Sequence, residues 1–155
     1  MIDVLISLLH SGGRKLKSNI AYIDGSSAGM YGYYYKGKTM IVKTKPLTNN
    51  QAEWLGLYSL LSDLPHNWNG IIYSDSLLVV NQWKGVYRIK NEQLKEIANT
   101  CRQLVIVKHL HFSLEWISRE KNIFGKILER ELRKRKRLNG KKKGKDTDLQ
   151  DIIPI

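Results

Sequence analysis

The order of hydrophobic patterns along the chain predicts an α/β fold with a mixed five-stranded sheet, three antiparallel strands and then parallel strands, flanked by helices. Two observations support this prediction. Three successive strand-like segments, separated by turn-like sequences, lie between Asn19 and Thr44. From Asn50 onward, segments with helical spacing alternate with short strand-like segments, an order that requires crossover connections between parallel strands.

The first part of the domain is predicted to form the three antiparallel strands. Residues Asn19 to Ile23 form the first strand, which runs into the turn-like sequence Asp24-Gly25-Ser26-Ser27. The Tyr-rich stretch from Gly29 to Tyr35 forms the second, and Gly37-Lys38 is expected to be a hairpin turn. Met, Ile and Val lie between polar residues in the segment from Thr39 to Thr44, which forms the third strand.

The remaining elements are predicted from the change of period. Apolar residues recur at helical spacing from Asn50 to Leu64, where Pro65 ends the helix. The later elements are a strand over Gly70 to Ser74, a helix over Ser76 to Trp83, a helix over Asn91 to Leu104, a strand over Leu110 to Trp116 and a last helix from Asn122 to about Arg137.

Length and composition indicate one soluble domain. The 155 residues are 42% hydrophobic, enough for a core, and no apolar run approaches the roughly 20 residues that a membrane-spanning helix needs. Cys101 has no partner for a disulfide, and the first residues lack the features of a secretory signal, so we expect an intracellular, cytoplasmic protein. We divide the chain into an extension (1–18), a domain (19–132) and a basic tail (133–155).

The charge is concentrated in the tail. The formal net charge is +12, from 26 Lys+Arg and 14 Asp+Glu. Ten basic residues and one acidic residue lie between Arg130 and Lys145, and the part up to Glu129 has 16 basic minus 10 acidic residues, or +6. Polyanions such as nucleic acids are the expected partner. The tail could also be a solvated, disordered extension, a nuclear address in a eukaryote, or the contact with a larger ribonucleoprotein or replication complex.

Three acidic residues lie at the predicted ends of strands or at a helix start. Each has an ordinary explanation: Asp24 before glycine suits a turn, Asn50 and Glu53 have the spacing of a capping box, and Asp75 could cap the helix that follows. Their joint placement favours a different interpretation. If the first and fourth strands are parallel neighbours, the three carboxylates converge at one edge of the sheet. Such a cluster suits Mg²⁺, and in a basic protein it indicates phosphodiester chemistry with one or two ions.

Four ordered motifs resemble type 1 ribonuclease H over roughly Asn19 to Leu132. They are Ile23-Asp24-Gly25-Ser26, Thr48-Asn49-Asn50-Gln51-Ala52-Glu53, Tyr73-Ser74-Asp75-Ser76 and Trp116-Ile117-Ser118-Arg119-Glu120-Lys121-Asn122. The stretch from Trp83 to Lys95 also resembles the substrate-binding segment of that family. The resemblance implies a ribonuclease H-like sheet in which Asp24, Glu53 and Asp75 hold Mg²⁺, or Mn²⁺, and activate water to cut the RNA strand of an RNA/DNA hybrid.

The resemblance also implies residues that bind the substrate, which would be an RNA/DNA hybrid or a structured RNA. The positions of Asn49, Asn50 and Ser76 are those that contact the backbone and the 2′-hydroxyls. Candidate phosphate contacts are Lys84, Arg88 and Lys90, for which a solvated basic loop is the alternative, and Arg119, for which a salt bridge is the alternative.

Lys126 departs from the family pattern, which has an aspartate four residues after the asparagine that corresponds to Asn122. A unit charge pair about 4 Å apart is worth roughly 4 kcal/mol at an effective dielectric near 20, and a lysine facing a divalent ion would cost about twice that. The ammonium could turn to solvent or to the scissile phosphate, Glu129 could replace the missing carboxylate from the same helical face, or catalysis could be lost. The alternative function is therefore a weakened or inactive ribonuclease H-like protein that binds nucleic acid or serves as a ribonucleoprotein component.

Overall fold

The computed structural model describes residues 19–148, so the predicted extension and the last residues of the tail lie outside the described part of the chain. Within residues 19–148, five strands and four α-helices are joined by mostly short connections. The strands are β1 (Ile20–Ser26), β2 (Met30–Tyr35), β3 (Lys38–Lys43), β4 (Asn69–Ser74) and β5 (His111–Trp116). The helices are α1 (Asn49–Asp63), α2 (Leu77–Trp83), α3 (Glu92–Val107) and α4 (Ile123–Asp148), and a short 3-10 helix spans Arg119–Lys121.

The sheet has the strand order β3-β2-β1-β4-β5. Strand β1 pairs antiparallel with β2, which pairs antiparallel with β3, whereas β1–β4 and β4–β5 are parallel pairs. The predicted mixed five-stranded sheet is therefore confirmed. The parallel register places Ile23 beside Ser74, so the residues that follow them, Asp24 and Asp75, meet at the same edge of the sheet.

Element boundaries differ from the predictions in two informative places. The β2–β3 turn is formed by Lys36 and Gly37 rather than by Gly37-Lys38, and both residues have positive φ, +49° and +74°, as a two-residue hairpin loop requires. Helix α4 continues to Asp148 instead of ending near Arg137, so the described part of the basic tail is a helix that continues from the domain.

The core lies on both faces of the sheet. On one face, α1 and α3 cover the central strands, with the side chains of Trp54, Leu57 and Ile72 fully buried among them. On the other face, the first turns of α4 pack Phe124 and Leu128 against the β2 side chain of Met30. Successive side chains of β1 pack alternately into the cores on the two faces of the sheet, as expected of a strand covered on both sides. Within residues 19–148, no helix combines the length and the apolar character needed to cross a bilayer.

Strand β1 and helix α1 approach each other at backbone distance. A Cβ atom built on Gly25 would overlap the main chain of Ala52 and would lie 2.6 Å from the Glu53 nitrogen. A Cβ atom on Gly56, one turn further along α1, would lie 2.8 Å from the Asp24 carbonyl oxygen. Since both glycines lack the atom that would separate the two elements, the carboxylates of Asp24 and Glu53 are brought together.

We expect Gly25→Ala to destabilise the protein by at least about 2 kcal/mol, because the new methyl group meets backbone that cannot turn aside. Urea unfolding, followed by tryptophan fluorescence, measures the change. The matched control is Gly140→Ala, where the added Cβ has nothing within 4 Å and should be neutral or slightly stabilising. Equal midpoints for parent and Gly25→Ala would mean that β1 and α1 do not approach as closely as described.

Candidate active site

Asp24 lies near the carboxyl end of β1, and its side chain is only 5% exposed. Its Oδ1 accepts a hydrogen bond of 2.9 Å from the Gly25 backbone N–H. The turn suggested by the Asp-Gly pair does not form here, because β1 continues to Ser26 and the chain turns only after that residue. Asp24 therefore ends up as a nearly buried carboxylate within a strand.

Glu53 comes from the second turn of α1, and it takes no part in capping that helix. The N-cap is Thr48, whose hydroxyl accepts from the Gln51 N–H at 3.1 Å while the Gln51 side chain accepts from the Thr48 N–H at 3.2 Å. The capping box therefore forms two residues earlier than the Asn50 and Glu53 spacing suggested, between Thr48 and Gln51. The Oε2 atom of Glu53 is buried and has no hydrogen-bond partner among residues 19–148.

Asp75 follows β4, and it is also free of a capping role. Ser76 caps α2 by accepting from the Val79 N–H at 3.3 Å, so the alternative interpretation, in which Asp75 caps this helix, is wrong. The carboxylate of Asp75 instead accepts a bond of 3.2 Å from the Asn122 side-chain amide. All three acidic side chains are thus left without the structural roles that sequence patterns offered for them.

The three carboxylates form one cluster. One oxygen from each of Asp24, Glu53 and Asp75 can be chosen so that all lie within 4.8 Å of one another. Burial, and then the charge of Asp75, raise the pKa of Asp24 to about 6, and burial with the charges of Asp24 and Asp75 raises the pKa of Glu53 well above its ordinary value. Burial also raises the pKa of Asp75, while the Asn122 hydrogen bond opposes the increase. The guanidinium of Arg119 lowers the pKa of all three groups.

The chemistry of the cluster fits a divalent metal ion. Three carboxylate oxygens close together suit a hard cation such as Mg²⁺. The buried Oε2 of Glu53 has an unfilled acceptor position, and such a group is costly unless something satisfies it. The raised pKa values of Asp24 and Glu53 lead to the same conclusion. A raised carboxyl pKa means that the ionised form is disfavoured in the pocket, and a bound cation would stabilise that form.

The cluster opens into a cleft of about 410 Å³ that brings together most of the candidate substrate-binding residues. Its lining includes Asn49, Asn50, Ser76 and Arg119 beside Glu53 and Asp75. Asn49 is held by its Oδ1, which accepts from the Ser27 N–H at 3.2 Å. Asn50 donates weakly to Gln82 at 3.5 Å, and its Oδ1 is buried without a partner in the described part of the chain.

The basic residues after α2 lie outside this cleft. Lys84 forms an ion pair of 3.1 Å with Glu115 on β5, and both side chains are about half exposed. Arg88 and Lys90 are exposed in the loop that leads to α3. These three residues are therefore exposed and are not brought to the carboxylates.

The structure places Lys126 and Glu129 on the exposed side of α4. Lys126 is exposed and does not line the cleft, and its backbone N–H donates to the Asn122 carbonyl at 3.3 Å within the first turn. Glu129 is paired with Arg133 one turn further on, and it lies outside the carboxylate cluster. The cation that acts on the three carboxylates is Arg119.

Asn122 is a residue of the site to which sequence reasoning assigned no role. Its side chain is completely buried, and its amide group donates to the Ile23 carbonyl at 3.0 Å and to Asp75 at 3.2 Å. Its Oδ1 caps α4 by accepting from the Gly125 N–H at 3.1 Å. One side chain therefore joins β1, the end of β4 and α4. The available signal was an asparagine immediately before a helical pattern, but that signal indicates only the cap.

Several solved structures are similar to this chain. LC11-RNase H1, solved in complex with an RNA/DNA hybrid, is 28% identical with a TM-score of 0.59, and the match covers 67% of this chain and 88% of that one. The N-terminal RNase H domain of a Mycobacterium tuberculosis protein is 26% identical with a TM-score of 0.57, covering 69% and 88%. RNase H1 from the archaeon Halobacterium salinarum is 24% identical, covers 67% and 88%, and has a TM-score of 0.56, which supports the fold alone.

A family described as reverse transcriptase-like matches residues 32–128, which is more than half of the chain. The matched range contains Glu53 and Asp75, and it extends to the first turns of α4. Together with the sheet order and the clustered carboxylates, this match confirms the resemblance drawn from the four motifs. The chain belongs to the reverse transcriptase-like family of ribonuclease H-like proteins.

Proposed function

We propose that this protein is a divalent-metal-dependent endoribonuclease that cuts the RNA strand of RNA/DNA hybrids. The observation that carries the proposal is the buried carboxylate cluster of Asp24, Glu53 and Asp75 at the edge of a cleft lined by amide, hydroxyl and guanidinium groups. A pocket that tolerates its own negative charge poorly is suited to a divalent cation. A phosphate-rich substrate is supported by the basic net charge of the protein, +12, and by Arg119 in the lining of the cleft.

The proposed substrate also rests on similarity. LC11-RNase H1, which is 28% identical to this chain, was solved with an RNA/DNA hybrid. A cleft that recognises such a hybrid must distinguish its two strands, and the 2′-hydroxyl is the group that differs between them. Asn49, Asn50 and Ser76 offer amide and hydroxyl groups beside the carboxylates, which is the chemistry that a 2′-hydroxyl needs.

In this mechanism, Asp24, Glu53 and Asp75 would hold Mg²⁺ or Mn²⁺, as one or two ions. When bound, the ion supplies Lewis acidity and positive charge at the scissile phosphate. Asn122 holds the Asp75 carboxylate by its 3.2 Å hydrogen bond and is therefore a positioning residue. Arg119 lines the same cleft, where its fork of N–H donors can orient a non-bridging phosphate oxygen.

The second candidate function is binding of nucleic acid without cleavage. Lys126 favours this candidate, because the resemblance implies an acidic residue at its position and because it lies on the exposed side of α4. Glu129 is held outward by Arg133, so in this conformation it does not replace the missing carboxylate. The enzymatic function remains the better-supported proposal, because Asp24, Glu53 and Asp75 all occur within the quoted motifs and their carboxylates lie close to one another.

The two candidates differ in a cleavage assay with a labelled RNA/DNA hybrid and Mg²⁺ or Mn²⁺. We expect the parent to cut the RNA strand and Asp75→Asn to lose at least about 100-fold in rate, since it removes one of three charged ligands. We expect Lys126→Asp to lower the Mn²⁺ concentration needed for half-maximal rate, because a carboxylate on the first turn of α4 would replace a cation.

The matched control for Lys126→Asp is Lys121→Asp, which makes the same change of charge at an exposed position in the 3-10 helix. An equal effect of both substitutions would indicate general electrostatics rather than a gained ligand. A parent that is inert but becomes active as Lys126→Asp would support the second candidate. If parent, Asp75→Asn and Lys126→Asp are all inert, the proposed enzymatic function is wrong.

The raised carboxylate pKa values predict how stability depends on pH without metal. Because folding raises the pKa of Asp24 from 3.8 to about 6, the folded state favours the protonated cluster. This contribution is fully present below about pH 4 and is lost as the pH rises through about 6. In EDTA at pH 7.5, we expect Glu53→Gln to be more stable than the parent by about 1 to 3 kcal/mol, and we expect Mg²⁺ to stabilise only the parent appreciably.

Urea unfolding between pH 4 and 8, with and without Mg²⁺, measures these differences. Glu96→Gln, an exposed glutamate on α3, is the matched control and should follow the parent at every pH. Parallel pH profiles for the parent and Glu53→Gln would contradict the described burial of the cluster.

A further inference from the structure

Helix α4 begins at the active site and leaves the domain as a basic arm. Its first turns are held by Asn122 and by the packing of Phe124 and Leu128. The outermost tether is the hydrogen bond of 2.9 Å from the Arg135 guanidinium to the Ala28 carbonyl in the β1–β2 turn. All side chains described beyond Arg135, from position 136 to 142, are exposed, and a Cβ on Gly140 would meet nothing within 4 Å.

Four basic residues form one stripe along the outer side of this arm. Arg130, Lys134, Arg137 and Lys141 are spaced at i, i+4, i+7 and i+11, which places them on a single helical face. Helical periodicity directs this face away from the one that carries Phe124, Leu128 and Arg135.

Among the side chains of the arm that the structure describes, up to position 142, neutralising partners occur only near its base. Glu131 pairs with Lys134, and Glu129 pairs with Arg133. Within the part of α4 whose side chains are described, Arg137 and Lys141 have no ion pair and no hydrogen bond. The charge of the distal arm is therefore available to an external partner.

The distal arm lacks the interactions that normally stabilise a helix. It has no apolar face packed on the domain, and most helical stability in proteins comes from such packing. Like charges three and four residues apart repel each other, and Gly140 and Gly144 add two residues of low helix propensity. A bound polyanion would neutralise these charges, remove the repulsion and so stabilise the helix.

We propose that the stripe of α4 formed by Arg130, Lys134, Arg137 and Lys141 is a second nucleic-acid-binding surface, which contacts the phosphate backbone of a duplex outside the cleft and gains helical structure when it binds. The proposal rests on the proposed function, because the duplex is the RNA/DNA hybrid held at the carboxylates. At 1.5 Å per residue, the arm reaches about 30 Å from Asn122, roughly the length of nine base pairs. Contacts with phosphate give affinity without sequence preference.

Nucleic acid fits this surface better than an anionic membrane. A helix that lies in a membrane interface needs an apolar face opposite its charges. Between Arg133 and Lys142, the arm offers a single apolar side chain, Leu138, which is 63% exposed. Charge without an apolar face is the pattern expected of a phosphate-binding surface.

The test is the salt dependence of binding to a fluorescein-labelled RNA/DNA hybrid of about 20 base pairs, measured by anisotropy in EDTA so that no cleavage occurs. Each phosphate contact contributes about 0.9 to the slope of log affinity against log salt. We expect Arg137→Gln/Lys141→Gln to reduce that slope by up to about 1.8. The matched control is Lys36→Gln/Lys38→Gln, which removes two charges near the β2–β3 turn, at the edge of the sheet opposite Asp24, and should leave the slope unchanged.

An arm variant with the parent's slope would overturn the proposal, and so would equal changes in the arm and control variants. Tighter binding of the parent to phosphatidylcholine vesicles containing phosphatidylserine than to the duplex would favour a membrane instead. Because binding is measured without divalent ions, the outcome is separate from that of the cleavage assay. An inactive protein can still show the arm effect, and an active one can lack it.

A second variant tests the gain of helix without changing any charge. Gly140→Ala makes the helix more stable in the free protein, so less of the helix has to form on binding. Because the entropic cost of forming the helix is then smaller, we expect the substitution to tighten hybrid binding by up to about fivefold. Far-UV circular dichroism should show more helix in free Gly140→Ala than in the free parent, and a smaller gain on adding the duplex. Identical affinity and identical gain for both proteins would contradict the coupling of helix formation to binding.

Discussion

The candidate active site depends on one steric constraint, the backbone contact between β1 and α1. Gly25 on the strand and Gly56 on the helix allow two main chains to approach at a distance that a single Cβ atom would prevent. This approach carries Glu53 towards Asp24, while the parallel pairing of β1 with β4 brings Asp75 to the same place. Two ordinary features of an α/β fold thus produce a carboxylate cluster that neither would produce alone.

The cluster makes the fold less stable when no cation is bound. Burial raises the pKa of each carboxyl, and repulsion by neighbouring carboxylates adds to the increase at Asp24 and Glu53, which means that the ionised pocket opposes folding. The protein offsets part of this cost with its own groups, since Asn122 donates to Asp75 and Arg119 acts on all three acids. The cost that remains would be removed by a bound divalent cation. The ionised carboxylates therefore favour binding of such an ion, as a metal-binding site requires.

Periodicity and connectivity were sufficient to predict the fold, and the rule that parallel strands end at one edge was sufficient to bring Asp24 and Asp75 together. Local patterns were less informative. The capping box at α1 begins at Thr48 rather than Asn50, because the spacing of polar residues admits two registers and only packing selects one. The triple role of Asn122 depends on atoms of β1 and β4, distant in sequence, that no local pattern contains. The length of α4 was also missed, since no apolar stripe marks its distal part.

The continuity of α4 has a geometric consequence. A helix turns by about 100° and advances 1.5 Å per residue, so the number of residues between Asn122 and the stripe determines both the distance and the direction of its charges. Inserting one residue after Leu132 would turn the stripe by about a quarter of a circle, whereas inserting four would nearly restore its direction and move it about 6 Å outward. The number of residues in α4 therefore sets the direction in which the stripe faces relative to the carboxylate cluster, and a change in the length of the helix alters this direction even when it leaves the charge of the arm unchanged.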